Sequence, residues 1–218
     1  MRIISVNVGR PRELRRDDVA VLSGIVKEPV EGPVAVGRTN LDGDGQADLS
    51  VHGGPDKAVY AYPAEHYPHW RDHLDADEMP WGFFGENLTI EGALETDVWI
   101  GDLFRAGSAL LEVTQPRIPC HKLALRVGDA AFGAPFLRSG RTGFYLRVRE
   151  EGTLRAGVPL AREGRGEGAL SVVAVGRLFA GAGTPAELER AAAVPALSAA
   201  WIDTLRARAA SRRRAAAG

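Results

Sequence analysis

The chain has 218 residues, 45% of them hydrophobic and 25% charged, which allows a sizeable core and is ordinary for a soluble globular protein. Lys and Arg number 27 against 28 Asp and Glu, a formal net charge of -1, so no chain-wide basic field argues for a nucleic-acid partner. A single cysteine excludes an intrachain disulfide framework and suits a reducing cytosol.

Residues 3–8 alternate apolar and polar side chains and predict a first strand. No long apolar segment of leader type follows Met1, and no apolar run reaches bilayer length, so a cytoplasmic protein with no membrane partner is expected. The apolar run 19–22 and the segment 23–27 predict further strand structure, 28–33 a turn and 34–36 another strand. Short strands separated by Gly and Pro point to a barrel or sandwich rather than a parallel α/β sheet. Asp42-x-Asp44-x-Gln46 imitates a calcium loop. Ala47 stands at the sixth position, where Gly is needed, and Gly53 at the twelfth, where Glu is needed, so 40–48 reads as a solvated turn. In His52-Gly53-Gly54-Pro55-Asp56-Lys57 the glycines permit positive φ, and His52 and Lys57 bracket a turn suited to an anion or to nothing more than a surface lysine.

A strand is predicted over 58–62 and a helix from Pro63 to Leu74. His66, His69 and His73 lie at helical spacing but lack the Glu of a zinc motif, so Tyr67, Trp70 and Leu74 are expected to form a packed face instead. Gly85 predicts a tight turn that aims Glu86 and Asn87 inward. An amide donates and accepts at once, although Asn also commonly caps turns. Residues 88–90, 98–100, 102–105 and 109–114 predict four short strands.

The stretch Thr114-Gln115-Pro116-Arg117-Ile118-Pro119-Cys120-His121-Lys122 holds the cysteine. Two prolines fix φ and push the residues before them extended, which predicts a stiff connector that presents its last residues. Arg117 lies three positions before Cys120, and His121 and Lys122 follow it. Nearby cations favour the thiolate, the form that acts as nucleophile and metal ligand. The competing reading is a small buried apolar residue.

Helices are predicted near 123–127 and 129–138, a strand over 141–148, and a turn with a last strand over 152–160. Arg138 and Arg141 around Ser139-Gly140 suit a phosphate or an exposed loop. The polar, Gly-rich residues 162–169 read as a linker between 1–161 and 170–218. Beyond it, Thr184-Pro185-Ala186-Glu187 carries a helix start, and Ser198 is placed to cap a last helix with Trp201 and Leu205.

The segment Gln115-Pro116-Arg117-x-Pro119-Cys120-x-Lys122 resembles the signature of the MOSC family, the domain named after the C-terminal part of molybdenum-cofactor sulfurase. Three other ordered blocks match as well: Asp44 to Asp48 with Val51 to Ala58, Tyr62-Pro63-x-Glu65-His66-Tyr67, and Phe84-Gly85-Glu86-Asn87-Leu88. Together they resemble the YiiM-like branch, from about residue 25 to the C-terminus. The resemblance implies a mainly β, α+β fold: a MOSC-type β-barrel of short strands with peripheral helices over 1–161 and a three-helix domain over 170–218. It implies a molybdenum cofactor ligated through Cys120, with Arg117 and Lys122 offsetting its charge and His52, Lys57 and Asn87 as further contacts. The implied reaction reduces N-hydroxylated compounds, such as hydroxylaminopurine-like bases or hydroxylamine, to amines. No flavin or Fe–S motif is present, so electrons are expected from a separate reductase acting on a monomer or homodimer. The rival expectation is a persulfide or cofactor carrier without turnover. Pyridoxal phosphate is associated with MOSC domains too, yet no lysine stands out by its sequence surroundings for a Schiff base.

Overall fold

The computed structural model describes every residue except Asp17, 49–52, Ala169 and Gly218. Its first half contains β1 (Arg2–Val8), β2 (Arg12–Arg16), β3 (Val19–Ser23), β4 (Glu28–Pro29), β5 (Val34–Val36), β6 (Val59–Pro63), α1 (Tyr67–Leu74) and β7 (Leu88–Glu91). There follow β8 (Leu103–Ala106), β9 (Ala109–Pro116), α2 (His121–Val127), α3 (Gly133–Ser139), β10 (Phe144–Glu150), β11 (Gly152–Leu154) and β12 (Leu160–Gly164). The chain finishes with α4 (Val172–Phe179), α5 (Pro185–Ala192) and α6 (Ala199–Ala217). None of the described helices is long and apolar enough to cross a membrane.

Eight strands form one sheet in the order β12-β8-β9-β10-β6-β7-β1-β4. Every neighbouring pair is antiparallel except β6 and β7. The α+β class holds, but the expected closed barrel is corrected to a ladder with two ends. The start of β1 does approach the segment before β12: the Ile3 N–H donates to the Val158 carbonyl at 3.0 Å, and the Leu160 N–H to that of Met1 at 3.1 Å. These two bonds make the bridge between Arg2 and Pro159, and the Gly157 N–H adds one to the Ile3 carbonyl at 2.8 Å, but no strand pairing of β1 with β12 follows among the described residues. At the other end of β1, β4 takes its edge at Asn7 and Val8.

Period-two patterning decides what faces the cleft described below. In β10 the buried Phe144, Leu146 and Val148 alternate with Tyr145 and Arg147, which point to the opposite face. Several local expectations shift. Pro63 ends β6, and a 3₁₀ turn over Ala64–His66 leads into α1. Residues 98–100 are not a strand of the sheet; they pair with the entry to α4 through the Trp99 and Ser171 bridge. Residues 162–164 of the expected linker belong to β12. The hairpin of β2 and β3 escaped prediction in part because Arg12-Glu13-Leu14-Arg15-Arg16 has no buried face.

The larger core cluster runs from the sheet (Ile3, Phe104, Leu111, Phe144) into the C-terminal helices (Val175, Leu188, Leu205). A second cluster is aromatic. Tyr62, Trp70, Phe84 and Phe136 pack with ring centroids 4.6–6.2 Å apart, and the Trp70 indole N–H donates to the Tyr62 hydroxyl at 2.6 Å.

Candidate functional site

The Cys120 connector leaves the sheet at Pro116, the last residue of β9, which is paired with Phe144 of β10. Gly143, with φ of +68°, precedes that strand. A side chain there would come within 2.4 Å of the Ala61 carbonyl, so only glycine allows β6 and this turn so close together. The Gly143 carbonyl accepts the Arg117 N–H at 3.2 Å and holds the start of the connector. Cys120 then takes an extended conformation ahead of α2, where its carbonyl accepts the Leu123 N–H at 2.9 Å.

Cys120 lines a cleft of about 80 Å³, partly open to solvent, together with Arg117, Lys122, Lys57 and Asn87. Five of the six residues singled out from the sequence therefore meet in one place. The sixth, His52, lies outside the described residues. The 3₁₀ turn that carries Lys57 is anchored from the sheet: the Arg147 guanidinium grips Asp56 at 2.6 and 2.8 Å, and the Thr114 hydroxyl donates to the Asp56 carbonyl at 2.6 Å.

Arg117 is 4% exposed, and its guanidinium sits 5.2 Å from the ring centre of Tyr60 and 5.6 Å from that of Phe136. Among the described residues nothing accepts a hydrogen bond from its Nε or Nη1. A buried guanidinium cannot shed its proton, so leaving those donors unmet is costly, and an anionic oxygen is the group that would satisfy them. Lys27, Lys57, Arg117 and Lys122 line the cleft, and no described lining residue is acidic.

Asn87 contributes differently from a direct contact. Its Oδ1 accepts the Tyr60 N–H at 3.0 Å, while its Nδ2 donates to Asp44 at 2.8 Å and to the Asn7 carbonyl at 3.4 Å. Asp44 in turn accepts the Gly9 N–H at 2.9 Å and pairs with Lys27. The Asn87 side chain thus orients Asp44, and Asp44 holds Lys27. The 40–48 segment is not merely a solvated turn, because the Asp44 carboxylate is fully buried. Sequence reading missed Lys27: it ends an apolar pair and precedes Glu28, the pattern of an ordinary exposed strand end. Burial pushes its ammonium pKa below the usual lysine value, with Asp44 opposing. Gly85, with φ of +84° and its Cα packed against Ile25, makes the turn that delivers Asn87.

The histidine series is dispersed. His66 Nε2 lies 2.7 Å from buried Glu95, whereas His69 and His73 stack on each other along α1.

The donor set fits a ligand with anionic oxygens and a soft metal: an unsatisfied buried guanidinium, three lysines and a thiol line one cleft.

Comparison with known proteins places this geometry in context. The MOSC domain model matches residues 48–161. The protein YflK of Bacillus subtilis (strain 168) is 44% identical over 200 residues, covering 91% of this chain and 90% of its own. Protein YiiM of Escherichia coli (strain K12) is 39% identical over 140 residues, 63% of this chain and 62% of that one. A protein of Gibberella moniliformis named Reductase is 37% identical over 140 residues, 63% of this chain but 25% of its own length. The crystal structure of YiiM from Geobacillus stearothermophilus superposes with a TM-score of 0.81 at 37% identity, covering 95% of this chain and 98% of that one.

Proposed function

The chain belongs to the MOSC domain family, in its YiiM-like branch, and from that premise we propose that it is an oxidoreductase that binds the molybdenum cofactor in the Cys120 cleft. In this reading it reduces N-hydroxylated compounds, hydroxylaminopurine-like bases or hydroxylamine, to amines with electrons from a separate reductase. The observation that carries the reading is the buried Arg117 guanidinium, with its Nε and Nη1 unmet among the described residues, in the lining of the same cleft as the thiol. That a relative named Reductase contains a segment similar to this chain supports a redox role.

When bound, the cofactor supplies the two-electron centre for R–NHOH + 2e⁻ + 2H⁺ → R–NH₂ + H₂O. The chain supplies the rest. Cys120 Sγ is the metal ligand, a soft donor suited to such a centre. Arg117, Lys57 and Lys122 hold the anionic part of the group by charge-assisted hydrogen bonds. Lys27 Nζ, fixed by Asp44, keeps a proton at the cleft wall, and its lowered pKa makes that proton easier to release than one on an exposed lysine.

The test is metal and pterin analysis of protein made in a cofactor-competent host, beside Cys120→Ala, followed by turnover with an artificial electron donor. Molybdenum in the wild type, its loss in the variant and abolished turnover in a still-folded variant are expected. Unchanged activity in Cys120→Ala removes the ligand role. A labile sulfane sulfur without metal points to the carrier instead.

A further inference from the structure

Two buried ionisable side chains stand outside the lining of the Cys120 cleft. His66, which ends the 3₁₀ turn before α1, is 6% exposed, and Glu95, in the turn between β7 and β8, is 3% exposed. They meet at 2.7 Å, His66 Nε2 against Glu95 Oε2. The other carboxylate oxygen, Oε1, accepts the Gly143 N–H at 2.6 Å.

Gly143 is the residue on which the connector hangs. Its carbonyl accepts the Arg117 N–H at 3.2 Å, and Arg117 opens the run to Cys120. One glycine therefore separates the Glu95 carboxylate from the connector. Its φ of +68° and lack of a side chain leave its orientation to the bonds that its backbone makes. The two residues before it are held by neutral groups: the Tyr60 hydroxyl donates to the Thr142 carbonyl at 2.7 Å, and the Tyr62 hydroxyl to that of Arg141 at 3.1 Å. Burying a carboxylate is costly unless it is well bonded, and an ordinary turn does not call for one. A charge-assisted bond is stronger than a neutral one and fixes direction more firmly. Glu95 is itself tied down from the C-terminal helices, because its carbonyl accepts the Val173 N–H of α4 at 3.0 Å.

We propose that the His66–Glu95 pair positions the Cys120 site. His66 fixes the Glu95 carboxylate, the carboxylate fixes Gly143, and Gly143 sets where Arg117 and Cys120 stand. Glu95 is a positioning residue that acts through Gly143 from outside the cleft. The effect on the connector holds whatever the cleft binds; the effect on cofactor retention rests on the reading above.

The single, part-exposed cysteine gives a direct probe. Cys120 is labelled with bromotrifluoroacetone and followed by fluorine NMR, where the wild type gives one resonance. Glu95→Gln, whose amide oxygen still accepts the Gly143 N–H, keeps that position, whereas Glu95→Ala moves the resonance by more than its linewidth. Leu188→Ala, a core change in α5, lowers Tm and leaves the resonance in place. Should Glu95→Ala not fold, Glu95→Asp, one methylene too short for both partners, gives the same displacement. In protein made in a cofactor-competent host, Glu95→Ala retains about tenfold less molybdenum than the wild type, and Glu95→Gln restores most of it. A Glu95→Ala or Glu95→Asp resonance at the wild-type position overturns the positioning role, as does an equal displacement in Leu188→Ala or full molybdenum retention by Glu95→Ala. Wild-type protein without molybdenum overturns the cofactor reading instead, and the fluorine spectra alone then decide the positioning role.

Discussion

Glu86 illustrates how much one side chain can be committed to structure. It is fully buried and accepts the Gly82 and Phe84 N–H groups at 2.9 and 3.1 Å, the Thr89 hydroxyl at 3.0 Å and the Tyr67 hydroxyl. It therefore clamps the turn that presents Asn87, instead of facing a ligand. Burial raises its pKa above the ordinary 4.5 in spite of these donors. The native state thus binds this proton more tightly than the unfolded chain. The resulting stabilisation is full below pH 4.5 and is lost as pH rises through the native pKa. Glu86→Gln lacks the titration. Denaturant titrations should show wild-type stability falling relative to the variant as pH rises above 4.5. A difference independent of pH would show that the carboxyl's protonation is not coupled to folding.

Among the elements, α5 was the most legible. Thr184 accepts the Glu187 N–H at 3.3 Å, and Glu187 returns the bond to the Thr184 N–H at 2.7 Å, a capping box with Pro185 in the first turn. Thr184→Ala should cost about 1 kcal/mol, read as a fall in Tm of roughly 2–4 °C. An unchanged melt would mean that α5 is held by the buried Leu188 and Ala191 alone. The analogous expectation for α6 changes on inspection. Ser198 precedes the helix, but its hydroxyl is buried without a partner among the described residues, and its carbonyl accepts the Trp201 and Ile202 N–H groups instead. Charged β2 carried no burial pattern from which a strand could be read.

At the scale of the molecule, a net charge of -1 conceals a cleft with four cations and no described acidic lining residue. Global charge reports solubility and long-range fields, whereas a site is set by which signs converge. The same scale decides how the C-terminal helices behave. Val172, Val175 and Leu178 of α4 share a buried cluster with the sheet, and the Ile100 N–H donates to the Leu170 carbonyl at 2.9 Å. We expect one cooperative unfolding transition, in which tryptophan fluorescence and far-ultraviolet circular dichroism superimpose. A separate early loss of helical signal would instead mark 170–218 as a unit that folds apart from the sheet.

Local patterns in the chain were sufficient for most strands, the capped start of α5 and the presentation of Cys120 by Pro116 and Pro119, because period, turn chemistry and proline geometry act over a few residues. The family followed from four ordered motifs, and with it five residues that line one cleft. Tertiary structure alone decided that Lys27 is buried beside them, that the Asn87 amide bonds Asp44, and that the sheet keeps its two ends. Each of these depends on contacts between segments tens of residues apart, whose pairing is chosen by packing and by the satisfaction of buried polar groups. No local periodicity encodes that choice.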